Sequence, residues 1–281
     1  MTPSASVTIA GPASDDFTRS QHAVWASLPV SLTQAPAQAQ LVAVDGRSAD
    51  WLVTLENAIG PGTAGVLVVR PAAGPSAQDI RAVAAAAADT GTIVAVQATW
   101  ASNPAVPPFA RAAAERLSDI TLIDTVAQLD GTSGQWADVL LDQLTLLRAM
   151  IGPLELVRFA VQYRHGFTVD GAIGATIVTI SAVRSAKPVE AIRLAAYGAT
   201  AEAHLIVPPG STAAPATAWF VDLAGAAMQP TWYEAAARAS WRRLHHAAAE
   251  RPGKLLPDLH HLADDADLLT GITASWQAHR R

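Results

Sequence analysis

The residues with the most evident potential for chemistry are two aspartates, Asp138 and Asp142, in a segment with helical periodicity. Apolar residues recur through 136–151 at the spacing of one helix face, and Gly152 and Pro153 would end that helix. Four residues apart, the two carboxylates share one side of the helix. They could act as a general acid and base, because the charge of one carboxylate favours protonation of its neighbour. The alternative is a structural ion pair with an arginine.

Cationic side chains that could assist such chemistry are few. Arg70 follows the apolar run Gly65–Val69, which predicts a strand buried on both faces. A guanidinium does not deprotonate at working pH, so Arg70 can hold an anion but cannot relay a proton. The only lysines, Lys187 and Lys254, lie in predicted connections and offer no evident base.

A short predicted strand near the N-terminus leads into the turn at which a dinucleotide-binding domain would hold a pyrophosphate. The usual pattern there, Gly-x-Gly-x-x-Gly, lets the backbone approach the phosphates. When the pattern is aligned on the strand, its three positions hold Gly11, Ala13 and Asp16; when it is aligned instead on His22 in the first helix, none of the three is glycine. Asp15 and Asp16 lie where the phosphates would lie and would repel an anion. We therefore predict a helix capped by Ser14, Asp15 or Asp16.

Histidine–aspartate pairs with helical spacing raise the question of a metal site. His260 and Asp264, and His261 and Asp265, are each four residues apart. A metal site normally needs three or four converging ligands. We therefore expect His260 and His261, and the adjacent histidines 245–246, to be solvated on the surface.

Composition narrows the class of protein. The 281 residues are 51% hydrophobic and carry a net charge of −5, which is typical of a globular chain with a substantial core. No basic cluster is available to a nucleic-acid backbone, so we expect no nucleic-acid partner. The absence of cysteine excludes disulfides and thiolate chemistry and fits a reducing compartment. Neither a signal peptide nor a membrane-length apolar run is evident, and we expect a cytoplasmic protein without membrane association.

The pattern of elements changes near residue 104. Before it, strands alternate with helices, which predicts a parallel α/β layer; after it, strands follow one another, which predicts an α+β domain with a mostly antiparallel sheet. The predicted strands are 7–9, 28–33, 41–44, Gly65–Val69, 92–98, 120–126, 156–163, 172–182, 191–197, 201–207 and 218–223. The predicted helices are 49–59, 76–89, 109–117, 136–151, 232–250 and 257–276, and a polar loop is predicted over 130–135. We accordingly predict domains over 1–103 and 104–281.

Three segments resemble, in order and spacing, the hinge and catalytic helix of the glucose–fructose oxidoreductase / inositol dehydrogenase (Gfo/Idh/MocA) family. They are 65–71, the Trp-Ala-Ser-Asn-Pro segment 100–104, and 138–152. The resemblance covers 65–276 and extends to the N-terminus in outline. It implies a truncated Rossmann-like domain, a C-terminal domain for substrate and dimerisation, and a last helix that returns toward the first domain.

The resemblance also implies which residues occupy the family's reactive positions. Arg70 stands at the lysine of the family's Glu-Lys-Pro, which reaches substrate and cofactor. The family's helix carries Asp-x-x-x-His and a further acid three residues later; here these positions are Asp138, Asp142 and Thr145. In that arrangement Asp142 would pair with Arg70 across the cleft, and we favour this ion pair over an acid/base couple.

The segment that includes Trp100 and Asn103 is similar to the family's aromatic–x–Asn-Pro segment, which lines the sugar site, although Asn-Pro pairs also simply start turns. The positions that the resemblance assigns to a substrate site are Arg70, Trp100, Asn103, Asp138, Asp142 and Thr145.

Because two or all three of the cofactor glycines, the lysine and the histidine are replaced together, the chain is identified as a degenerate member of the family. We expect a non-catalytic or cofactor-free subunit that pairs with itself or with an active paralogue and has no bound cofactor. Two alternatives remain open. One is a sugar or cyclitol dehydrogenase that uses NAD or NADP with atypical motifs. The other is a cofactor-free lyase or isomerase that uses Asp138 and Asp142.

Overall fold

The chain divides into two compact units in the computed structural model, which describes residues 5–29, 32–34, 39–117, 119–130, 135–185, 191–208, 214–250 and 255–278. The first unit comprises 1–98 and 236–267, and the second comprises 99–235 and 268–281. The boundary predicted from sequence at 103/104 lies a few residues beyond the division at 98/99.

The first unit is built on a five-stranded parallel sheet. Its strands are β1 (Ala5–Ala10), β2 (Leu32–Gln34), β3 (Leu41–Asp45), β4 (Gly65–Val69) and β5 (Ile93–Gln97). They lie in the order β2-β1-β3-β4-β5, and each neighbouring pair is parallel. Every residue of β3, β4 and β5 is buried. Continuous apolar runs are what a parallel strand covered on both faces requires, and the predicted parallel layer is confirmed.

Helices cover this sheet. They are α1 (Asp15–Ser27), α2 (Trp51–Ala58), α3 (Ala77–Thr90), α6 (Ala236–Glu250) and the part of α7 (Asp258–Ala278) up to Asp267, with numbering in chain order. Local signals mark both ends of α3. The Ser76 hydroxyl caps α3 by accepting from the Asp79 backbone N–H at 3.2 Å, and Gly91 ends it at φ +70°.

Helix α6 packs its buried side chains against the parallel sheet. Trp241 and Leu244 are fully buried in the apolar cluster formed with β1, β3, β4 and β5. A Cβ at Gly65 would lie 2.7 Å from Leu244, so glycine at that strand position permits the close approach of the helix. The Trp241 indole donates to Gln21 of α1 at 2.9 Å, and this bond is buried.

The second unit holds an eight-stranded sheet. Its elements are α4 (Val106–Arg116), β6 (Ile120–Asp130), α5 (Trp136–Met150), β7 (Leu156–Tyr163), β8 (Gly166–Ile173), β9 (Thr176–Ser185), β10 (Ala191–Gly198), β11 (Glu202–Val207), β12 (Thr217–Asp222) and β13 (Gly225–Met228). The order is β13-β12-β11-β10-β6-β9-β8-β7, and β6 with β9 is the one parallel pair among neighbouring strands of the described part of this sheet. The predicted, mostly antiparallel sheet is confirmed.

The two faces of this sheet differ. On one face, alternate residues of the strands are buried, including Ile123, Ile180 and Leu205, and α5 packs against β6 and β9. The opposite face, called the outer face below, carries the alternate set, in which Asp124 of β6 lies in register with Thr179 of β9 and Ala195 of β10. This period of two follows from the pleat of a strand.

Some predicted boundaries are wrong. The strand predicted over 172–182 is a hairpin of β8 and β9, which turns at Gly174, where φ is +55°. The helix predicted from 232 begins at Ala236, because Trp232 is bridged to Ala216. Strand β6 runs on to Asp130, where a loop was predicted, and strand β13 was not predicted. Of the strand predicted over 28–33, residues 28 and 29 follow α1 outside any strand, residues 32 and 33 belong to β2, and residues 30 and 31 lie outside the described residues.

Candidate functional site

The first unit presents the crevice typical of an open parallel sheet. Strand order reverses between β1 and β3, and ligands of such sheets bind outside the carboxyl ends of the strands at this point. Gly11 follows β1 there with φ +67°. A Cβ at Gly11 would lie 2.7 Å from Thr54 of α2. The approach of α2 therefore accounts for this glycine without a ligand.

The N-terminus of α1 is occupied by the chain's own side chains. The Ser14 hydroxyl accepts from the Phe17 backbone N–H at 3.1 Å, which confirms the predicted cap at one of its three candidate residues. Asp15 and Asp16 lie in the first turn, and Asp16 pairs with Arg19 on the surface. Carboxylates at a helix N-terminus take the place of an anion and repel another. This corner does not fit the pyrophosphate of a dinucleotide cofactor.

A further acidic group lies at the end of β3, beside the same crevice. Asp45 is buried and accepts from the Arg47 backbone N–H at 3.1 Å. Gly46 follows it and donates to the Val69 carbonyl at 2.9 Å, and a Cβ there would lie 2.7 Å from the backbone of Pro71. The turns after β3 and β4 are therefore packed together, and the carboxylate of Asp45 forms an ion pair with the Arg47 guanidinium at 3.7 Å.

Arg70 occupies a strained backbone position directly after β4. Among the described residues other than glycine, it alone has positive φ, at +53°. Its N–H donates to the Gln97 carbonyl at 2.8 Å, which ties the turn to the end of β5. A left-handed conformation in a residue with a long side chain is uncommon and often marks a functional site. Arg70 belongs to the first unit, so its predicted pairing with Asp142 of the second unit stays a prediction.

In the second unit, α5 carries the predicted pair of acids on one side, and Asp142 is anchored. Its two carboxylate oxygens accept from the Thr99 backbone N–H at 3.1 Å and from the Thr99 hydroxyl at 2.5 Å. Asp138 lies half-buried in the first turn of α5, where its N–H donates to the Gln135 carbonyl at 3.1 Å. The Thr145 hydroxyl donates to the carbonyl of Leu141 within the helix at 3.0 Å. Thr99 was not predicted as a site residue, because no pattern in the sequence links it to Asp142.

Trp100 and Asn103 follow Thr99 in a buried turn. The side-chain oxygen of Asn103 accepts from the Ala105 backbone N–H at 2.9 Å. The backbone N–H of Asn103 donates to the Trp100 carbonyl at 3.0 Å. Asn103 therefore acts as a turn residue just before α4. The buried indole N–H of Trp100 finds no acceptor within the described part of the chain. A buried donor of this kind is available to a ligand oxygen.

The histidine–aspartate pairs do not assemble a metal site. His260 and His261 are exposed on α7, as expected, whereas His245 is buried on α6, against expectation. The described residues contain no cluster of three or more candidate metal ligands. Within the same residues, no helix has the length and apolar character of a membrane span.

A five-stranded Rossmann-like sheet followed by a large, mostly antiparallel sheet is the architecture of Gfo/Idh/MocA-type oxidoreductases. The structure is similar to KijD10, a 3-ketoreductase from Actinomadura kijaniata solved with NADP, with a TM-score of 0.76 over 97% of each chain at 12% identity. It is also similar to the dehydrogenase MviM from Clostridium difficile, with a TM-score of 0.70 over 96% of this chain and 99% of that one at 8% identity. No sequence profile of a protein family and no curated protein matches the chain. At these identities the likeness establishes the fold.

Proposed function

We propose that this chain is a non-catalytic or cofactor-free subunit built on an oxidoreductase fold, which pairs with itself or with an active paralogue. One observation carries the proposal. At the position where the resemblance places a proton-transferring histidine, Asp142 has both carboxylate oxygens bonded to Thr99. A general acid or base must be within reach of its substrate's proton. The two hydrogen bonds from Thr99 instead give Asp142 a structural role, in which it joins α5 to the segment that precedes α4.

The cofactor crevice supports the same proposal. A dinucleotide brings two phosphate charges, and the corner that would receive them holds Asp15 and Asp16 at the N-terminus of α1, with buried Asp45 near the end of β3. The hydroxyl of Ser14 already takes one of the free N–H groups of α1. Both features disfavour an anion, because the carboxylates repel it and one of the N–H groups that could bind it already has an acceptor.

Titration with NADH and NADPH, followed by cofactor fluorescence, tests the absence of cofactor binding. KijD10 serves as the positive control, because it has been solved with NADP. We expect no saturable signal up to about 1 mM cofactor, an upper limit that corresponds to about −4 kcal/mol of binding free energy. Saturable binding would overturn the proposal and favour the alternative of an NAD(P)-dependent sugar or cyclitol dehydrogenase with atypical motifs.

A sugar-like ligand remains possible without a cofactor, and Arg70, Trp100, Asn103, Asp138, Asp142 and Thr145 stay the predicted positions for it. Calorimetry with a panel of sugars and cyclitols tests this, with Asp138→Asn as the variant that removes one carboxylate. If a sugar binds and is converted, and Asp138→Asn abolishes conversion but not binding, the lyase or isomerase alternative replaces the non-catalytic one. Binding without conversion is the result expected of a subunit that has kept only the sugar site.

The outer face of the second unit's sheet supports the pairing. Large apolar side chains are exposed on it, namely Phe159, Tyr163, Ile177, Val183 and Met228. Large apolar side chains exposed on one sheet face are typical of an interaction surface. The resemblance implies pairing through this face. Light scattering of the purified chain, alone and with a candidate paralogue, should give the mass of a dimer, and a monomer under both conditions would contradict the pairing.

A further inference from the structure

A hollow of about 570 Å³ lies at the centre of the outer face. Its floor is Ala195 of β10. Asp124 of β6 and His204 of β11 lie in register on either side of Ala195. Arg193 and Tyr197 lie two residues away along β10, on the same face. A small residue surrounded by four longer polar side chains therefore forms the hollow.

The carboxylate of Asp124 is half-buried and has no partner in the described part of the chain. Its neighbour on β9 is Thr179, whose hydroxyl donates to Asp170 of β8 at 3.1 Å. Burial raises the pKa of the Asp124 carboxyl above its usual value, because the charged form loses solvation. A carboxylate in this state gains from a cation that approaches from outside.

No charged or titratable group around Asp124 forms an ion pair or hydrogen bond with it in the described part of the chain. On β10 these groups are Arg193 and Tyr197. On β11 they are His204 and Glu202, whose side chains bond to each other at 3.1 Å. Arg193 is exposed, and within the described residues it forms no ion pair or hydrogen bond. It lies diagonally across from Asp124, since Asp124 is in register with Ala195. The outer face thus carries an unpaired carboxylate, Asp124, next to an unpaired guanidinium, Arg193.

We propose that a second copy of this chain docks on the outer face, with Asp124 of each copy against Arg193 of the other. The inference rests on the self-pairing proposed above and adds the residues that fix its register. A twofold interface brings the same patch of both copies together, so the patch must complement itself. An acid and a base on either side of a twofold axis satisfy this requirement with two ion pairs. A small cation would satisfy Asp124 but would leave the surrounding apolar side chains uncovered.

The surroundings of the hollow suit such an interface. Val126, Ile206 and Trp219 line the hollow beside the charged groups, and the indole of Trp219 stacks on His204 with ring centres 4.8 Å apart. Apolar and aromatic residues supply the area that an interface needs, while charge pairs select the register and the partner. An active paralogue would be accepted only if it carries the same acid and base.

Association should also depend on pH. Pairing with Arg193 favours the charged carboxylate, so the pKa of Asp124 is lower in the dimer than in the free chain, where burial raises it. Below the free-chain value, each copy must release a proton before it pairs. The dimer therefore weakens as pH falls through that range and reaches full strength above it.

Charge reversal tests the pairing directly. Asp124→Arg places two positive charges on the patch, and Arg193→Asp places two negative charges there. The dimer of each single variant should therefore dissociate. A mixture of the two variants restores both ion pairs and should dimerise. We expect the dissociation constant of each variant to rise about a hundredfold or more, at about tenfold or more for each of two lost pairs. Analytical ultracentrifugation of each variant, of the mixture and of the double variant measures this.

The control is Arg111→Asp, which reverses the charge of an equally exposed arginine on α4 and should leave the dimer unchanged. Circular dichroism establishes that each single variant is folded, and recovery in the mixture excludes misfolding independently. A wild-type dimer that persists in both single variants overturns the Asp124–Arg193 pairing and leaves self-pairing intact. A monomeric wild type overturns both the Asp124–Arg193 pairing and the self-pairing. The proposed absence of cofactor binding is then tested separately by the cofactor titration.

Discussion

Thr99 donates both its backbone N–H and its hydroxyl to the carboxylate of Asp142, at 3.1 Å and 2.5 Å. The two residues are 43 positions apart in the chain, and both belong to the second unit. The contact fixes the first residue of that unit to the middle of α5. A position that the resemblance assigns to proton transfer thus serves to hold the chain in place.

This contact should contribute to stability. Thr99→Val keeps the backbone N–H and the shape of the side chain but removes the hydroxyl donor. Since hydrogen bonds to charged groups are stronger than neutral ones, we expect the free energy of unfolding to fall by about 1.5–3 kcal/mol. Urea denaturation followed by tryptophan fluorescence measures it. Thr121→Val is the matched control, because that hydroxyl bonds a carbonyl at the surface, and its effect should stay within about 0.5 kcal/mol.

The strained backbone at Arg70 gives a second prediction. Arg70→Gly and Arg70→Ala both remove the side chain, but only glycine adopts φ near +53° without strain. The glycine variant should therefore be more stable than the alanine variant by about 1 kcal/mol. Thermal denaturation of the two variants gives the difference. Equal stability would mean that the turn relaxes to negative φ when the side chain is shortened.

Asp258 should be a strong anchor within the first unit. Its carboxylate accepts from the Val96 backbone N–H at 2.8 Å, on the edge strand β5, and from both terminal nitrogens of Arg243 at 2.8 Å and 2.5 Å. Asp258→Ala leaves an N–H of the strand edge and a guanidinium without their acceptor, so we expect a loss of about 2–4 kcal/mol. Arg243→Gln, which leaves Val96 its acceptor, should lose less. A larger loss in Arg243→Gln would be inconsistent with this account.

Asp124 makes stability depend on pH in the monomer as well. Its pKa is raised by burial in the folded chain, so the folded state holds its proton to higher pH than the unfolded state does. Wild type and Asp124→Asn should be equally stable below the pKa of the unfolded chain. As pH rises to the folded pKa, the wild type should fall below the variant and then stay there.

Denaturation at protein concentrations below the dimer dissociation constant measures this difference without interference from association. Asp89→Asn, at an exposed position of α3, should show no such trend. If the wild type became more stable relative to Asp124→Asn as pH rises, the prediction that burial raises the pKa of Asp124 would be refuted.

Much of the fold could be predicted from the sequence where a strand is buried on both faces. Strands β3 and β4 were predicted within a residue, because a strand covered on both faces must be apolar at every position. Ser14 was predicted as a possible cap, since a hydroxyl at this position satisfies a free N–H of its own helix. The β8–β9 hairpin was taken as one strand, because both arms alternate with the same period and only the left-handed turn at Gly174 separates them.

The candidate site was readable only in part. The spacing of Asp138 and Asp142 places them on one side of α5, as local helix geometry requires. The partner of Asp142 could not be read in the same way. Thr99 has no periodic relation to the helix and reaches it only because the fold returns the two segments to one place.

The sequence by itself determined most of the strands and helices and which reactive side chains are absent, because propensity, period and composition are local or global properties of the chain. Only the tertiary structure decided what the remaining polar groups contact. It joined Thr99 to Asp142, Asp258 to the edge of β5, and left Asp124 beside Arg193 on an open face. Contacts of this kind depend on register and packing between distant segments, and no local pattern specifies them.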